Sequence, residues 1–165
     1  MATNQPVTDE QGEQVQYESQ LRNGAVLMAL AGIVFVGYGV VFLALNFTGS
    51  GFELGVSTLA GMTAADLDPT VAYYISHLYV ATAAFIISTG IAVASLSWYG
   101  VRQRLMWARA TAILSAVVSL ALALPMHWTG SAFSHDWVTH LGPIYLATIV
   151  LIIGVVLSYR GVRIS

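Results

Sequence analysis

The chain has 165 residues, of which 57% are hydrophobic and only 8% charged. A soluble domain carries about 25% charged residues, so this composition excludes an ordinary water-soluble fold, which would have too few charges to solvate its surface. The formal net charge is −2, and the chain holds neither lysine nor cysteine. Without cysteine there are no disulfides, thiolate metal sites, iron–sulfur clusters or covalent c-type haem attachment.

Residues 1–21 are polar and acidic (Asp9, Glu10, Glu13, Glu18) and read as a disordered tail. They lack the cationic start and short apolar core of a cleaved signal peptide, so the span that follows reads as a retained anchor. Runs of about 20 apolar residues are long enough to cross a bilayer as helices. The first such run covers about residues 24–46, inside a stretch without charge from Ala25 to Phe52. The second covers about 74–96, and Asp68-Pro69 ahead of it fits an N-cap followed by proline at the first helical position. The third covers about 108–124 and the fourth about 141–158, with Gly142-Pro143 at the start of the fourth. The expected fold is an all-α membrane protein, a four-transmembrane-helix bundle over residues 22–165.

All six cationic residues are arginines. They flank the first span (Arg22), fill the connection between spans two and three (Arg102, Arg104, Arg109) and follow span four (Arg160, Arg163). The positive-inside rule then places both termini and the middle connection in the cytoplasm of a multi-pass plasma-membrane protein. Glu53, Asp66, Asp68, Asp136 and all four histidines fall on the outer side. Tyr73, Tyr74, Trp128 and Trp137 outside, and Trp98, Tyr99, Trp107 and Tyr159 inside, sit where interfacial aromatic belts form.

An internal repeat is also legible. LSWYGVR (96–102) and LSYRGVR (157–163) agree at five of seven positions and close spans two and four. RNGAVL (22–27) and RATAIL (109–114) share R-x-x-A-[V/I]-L and open spans one and three. This order predicts two tandem helical hairpins related by a pseudo-two-fold axis along the membrane normal. His77 and His140 precede their closing arginines by 25 and 23 residues, about 35–38 Å of helix, which puts both near the outer interface.

Helices in lipid associate through small residues that let backbones approach. The stripes predicted to face inward are Ala25, Gly32, Gly39 and Asn46 on span one and Ala81, Ala84, Ser88 and Ser95 on span two. They are Ala108, Ala112, Ser115, Ser119 and Ala123 on span three and Ala147, Gly154 and Gly161 on span four. Phe35, Phe85, Ile86 and Ile152 are expected to meet lipid. His77 and His140 fall on the small faces and are expected to point inward.

Chemistry has one place to gather. MHWTGSAFSHDWVTH (126–140) carries three of the four histidines and Asp136. A metal site would draw on His77, His127, Asp136 and His140, a donor set suited to zinc, copper or non-haem iron. His135 and His140, five apart, cannot both be ligands from one regular helix. Alternatively His77 and His140 could be axial ligands of a b-type haem. Against these stand the plain roles of interfacial histidines that bond a carbonyl or water, and of Asp136 as an acid near a helix start. No charged residue lies deep in a span, which argues against a carboxylate-driven pump or voltage sensor. Hydroxyls such as Ser88, Thr89, Ser115, Ser119 and Thr148 have no neighbouring base, so catalysis is not indicated. The arginines suit topology and anionic lipid rather than nucleic acid.

The reading is a non-catalytic accessory or structural membrane subunit, contacting lipid and other membrane proteins or further copies of itself. A metal- or haem-binding redox subunit and a small-molecule carrier are the alternatives.

Overall fold

The computed structural model describes residues 9–48, 64–125 and 141–162. Among the described residues, four helices are each long and apolar enough to cross a membrane: α1 (Asp9–Phe47), α2 (Pro69–Ser95), α3 (Met106–Ala123) and α4 (Gly142–Arg160). A short 3₁₀ turn, Ala64–Asp66, precedes α2. A π-turn (Leu96–Gly100) and a 3₁₀ turn (Val101–Gln103) carry α2 into α3. The expected all-α four-helix bundle is what forms.

α1 has 39 residues, about 58 Å at 1.5 Å per residue, far more than the ~30 Å hydrocarbon core. Its first turns, from Asp9 onward, belong to the stretch expected to be a disordered tail, yet they continue the helix. The residues explain why. Asp9 and Glu10 occupy the first turn, where acids complement the helix dipole. The Gln and Glu residues that follow are good helix formers.

α2 starts as its sequence indicates. The Asp68 carboxylate accepts a hydrogen bond from the Thr70 N–H at 2.8 Å, and Pro69 begins the helix. Between α2 and α3 the chain reverses tightly. Arg104 takes a left-handed conformation (φ 63°), and its N–H donates to the Val101 carbonyl at 3.0 Å.

α1 is the axis of the bundle, with α2 and α4 packed along it. Glycines permit this. A methyl at Gly32 would strike the Gly90 carbonyl, and one at Gly90 would strike the Gly32 carbonyl and the Val36 N–H. On the α4 side, a methyl at Gly24 would meet the backbone of Gly154 and Ser158, and one at Gly154 would meet the backbone of Met28. Around these crossings Leu21, Ala25, Met28 and Ala31 join Val93, Ala112, Ala116 and Leu151 in a core shared by all four helices. A second cluster lies toward the other end. There Phe42 stacks on Tyr79 at 4.8 Å between ring centroids, above Ala83.

The inward faces of α1 and α4 match the expected stripes: Ala25, Gly32, Gly39, Ala147, Gly154 and Gly161 are all buried. Those of α2 and α3 need correction. On α2 the buried positions are Ala83, Gly90 and Val93, continued by Ser97 and Gly100 in the π-turn, with Ser76 half-buried, whereas Ala84, Ser88 and Ser95 are exposed. The true face lies one residue away, about 100° round the helix. Gly90 decides this, because only a glycine permits the contact with Gly32. On α3, Ala108, Ala112 and Ala116 are buried, but Ser119 and Ala123 are exposed. Phe35, expected in lipid, is only 9% exposed, while Phe85 and Ile152 do face outward.

The two halves are not packed alike. α3 lies against α2 and its following turns and makes few close backbone approaches to α4, whereas α1 holds both its neighbours. At the arginine end, however, the repeated motifs make corresponding contacts. Gly100 sits against Ala108 and Gly161 against Leu21, and Ser97 and Ser158 are each fully buried.

Candidate functional site

His77 is exposed on α2. It lies on the face that carries Ala84, Ser88 and Ser95, so the expected inward orientation does not hold. The inward polar group at that level is its neighbour Ser76, whose hydroxyl accepts a hydrogen bond from the Asn46 amide at 3.0 Å. His127, His135, Asp136 and His140 lie outside the described residues. Among the described residues no three His, Asp or Glu side chains converge as a metal site would require.

Toward the end opposite the arginines, a cavity of about 280 Å³ opens between the helices. Its walls come from Phe35, Tyr38, Phe85, Leu120 and Ile144, with hydroxyls from Thr82, Thr89 and Ser119. Of Ser88, Ser115 and Ser119, Ser119 alone lines this space. Ser88 is exposed and donates its hydroxyl to the Phe85 carbonyl at 3.0 Å; Ser115 is half-buried on α3. The cavity is mainly apolar, of a kind that accepts an aromatic side chain, an acyl chain or a small amphiphile. A stripe at seven-residue spacing, Ser76, Ala83, Gly90 and Ser97, was the signal that could have located the side of α2 turned toward α1.

At the other end lie Arg22, Arg102, Arg104, Arg109 and Arg160. Arg109 is 5% exposed. Its guanidinium donates to the Ser158 carbonyl at 3.3 Å and stacks 4.1 Å from the centroid of the Tyr159 ring. Carbonyls in the last turn of a helix have no intrahelical partner and carry the negative end of its dipole. Arg109 therefore closes α4 from α3 and ties together two helices that otherwise barely touch. Arg102 lies 4.3 Å from the Trp98 ring centroid. Arg104 reaches Glu18 on α1 at 3.5 Å, with both side chains largely in solvent. Arg22, Arg102 and Arg104 line a recess of about 490 Å³ together with Val15, Glu18, Ser19 and Leu21.

No protein-family model, curated protein or solved structure matches the chain.

Proposed function

We propose that the protein is a non-catalytic accessory or structural subunit of the plasma membrane, with both termini in the cytoplasm. In this reading it acts through helix contacts with other membrane proteins, or with further copies of itself, within the bilayer. The observation that carries the reading is the incomplete closure of the bundle. Among the described residues α3 packs mainly against α2 and its following turns, its Ser119–Ala123 face is exposed, and an apolar cavity lies beside it. A partner helix seated there would bury surface that the described residues leave uncovered. In lipid such docking draws on close packing rather than on hydrophobicity. The orientation is supported by the gathering of the described arginines at one end of the bundle, the arrangement the positive-inside rule assigns to the cytoplasm. Descent from a duplicated hairpin is supported by the corresponding contacts of Gly100 and Gly161.

The test is the size of the native assembly in mild detergent. Ser119→Trp and Ala123→Trp fill the opening from an exposed face, so they should leave helicity unchanged and shift the protein to a smaller species on native gels. Unchanged assembly with either variant overturns the reading.

A second reading, a carrier for a small amphiphile, is favoured by the hydroxyls of Thr82, Thr89 and Ser119 in the cavity wall. It requires a bound molecule detectable by native mass spectrometry that is lost in Thr82→Val combined with Ser119→Ala. The metal or haem reading draws on His77 and His140, with His127 and Asp136, and is tested by metal analysis and by a search for a Soret band.

A further inference from the structure

The recess at the arginine end is built from two separate parts of the chain. Arg22 comes from α1, two residues before its buried Gly24; Arg102 and Arg104 come from the turns after α2. Each lies where a charge-free run meets water, at the depth of lipid headgroups. Among the described residues Glu18 is the one acid lining the recess, against the three cations Arg22, Arg102 and Arg104. Glu18 reaches Arg104 only at 3.5 Å, longer than the 2.7–2.9 Å of a strong charge-assisted bond, and leaves most of its donors unspent. Arg104 holds a left-handed backbone at φ 63° as the cap that ends the 3₁₀ turn, the conformation with which helices commonly stop and the chain reverses. Arg102 is oriented by its stack on Trp98, an aromatic that itself belongs at the interface. Guanidinium groups present planar donor forks that match phosphate oxygens.

We propose that Arg22, Arg102 and Arg104 form a binding site for a phosphate-bearing anion, the headgroup of an anionic phospholipid in the adjoining leaflet. The proposal rests on the membrane reading above but not on which leaflet faces the cytoplasm. In it, Trp98 and the start of α1 frame the headgroup, and the acyl chains run down beside the bundle. Glu18 competes with the phosphate for Arg104 and weakens binding.

The full chain in neutral-detergent micelles is titrated with phosphatidylglycerol, with phosphatidylcholine and with inorganic phosphate, and lipid occupancy is read by native mass spectrometry. Phosphatidylglycerol should bind in preference to phosphatidylcholine. Each of Arg22→Gln, Arg102→Gln and Arg104→Gln should weaken it about fivefold. Arg160→Gln, outside the recess, should leave affinity unchanged. Glu18→Gln should strengthen binding, an effect that a misfolded variant cannot mimic. Saturation by inorganic phosphate alone, sensitive to the same arginines, supports the phosphate site but assigns it to a soluble phosphate. Equal binding of both lipids, or a loss with Arg160→Gln as large as with Arg104→Gln, overturns the proposal. A chain that stays dissolved without detergent sinks the membrane reading instead, and the two failures are distinct.

Discussion

Gly90→Ala adds one methyl where α1 and α2 are closest. The new carbon would lie 2.6 Å from the Gly32 carbonyl oxygen and 2.8 Å from the Val36 backbone nitrogen. Both obstacles are backbone or fixed by it, so no rotamer change relieves them and the helices must separate by about 0.5–1 Å. A gap of that size forfeits a quarter to a half of each contact well, and each well is only ~0.1–0.2 kcal/mol deep. A crossing with some tens of atom pairs therefore loses on the order of 2 kcal/mol, within the range of overpacked cores. The higher helix propensity of alanine offsets about 1 kcal/mol of this in a water-exposed helix. Gly37→Ala supplies the control, because nothing lies within 4 Å of a methyl there; it should be neutral or slightly stabilising. The pair is compared by titrating mixed micelles with a denaturing detergent and following helicity by circular dichroism. Gly90→Ala should unfold earlier than wild type and Gly37→Ala no earlier. Identical curves for the two variants would refute the claim that glycine contact sets the α1–α2 spacing.

Arg109→Leu should cost about 1.5–3 kcal/mol, the worth of a charged hydrogen bond, and should fray α4 at Ser158 and Tyr159 in amide exchange; undiminished protection there would count against its capping role. In the Asn46–Ser76 pair, a double-mutant cycle to alanine should give a coupling of about 0.6 kcal/mol, the average for such bonds in membranes, and no coupling would mean that the bond is not formed in the bilayer. The Asp68 carboxyl is held below its ordinary 3.8, first by the Thr70 N–H and next by the Thr70 hydroxyl. A depressed folded pKa means the cap contributes fully above the unfolded value and is lost as pH falls through the folded one. Protection factors of the amides at the start of α2 should therefore fall on acidification below about 3.8, and Asp68→Asn, which caps without a charge, should abolish that loss of protection. His77→Ala should leave melting and metal content unchanged, since the imidazole is exposed; loss of a bound metal or of a Soret band in this variant would restore the redox reading.

What could be read from residues alone is instructive in its failures. The spans were evident because hydropathy is additive along the chain: a charge-free run such as 25–52 needs no partner to be recognised. The inward faces of α1 and α4 were evident because their glycines recur at seven-residue spacing. α2 misled because Ala81, Ala84, Ser88 and Ser95 are small without being needed close; only the reciprocal contact of Gly90 with Gly32 tells one small face from another. The exposure of His77 follows from the same rotation. Helicity before Gly24 was hidden by its polarity, which disorder and an exposed helix share.

The amino-acid order by itself determined four apolar segments, their limits, and a guanidinium-rich end, because each depends on local composition against a bilayer of fixed thickness. Only the folded arrangement decided that α1 is the central helix, that α3 stands partly apart, and that Arg22 meets Arg102 and Arg104 across some eighty residues. Those outcomes turn on which backbone can approach which, a property of pairs of helices and not of either alone.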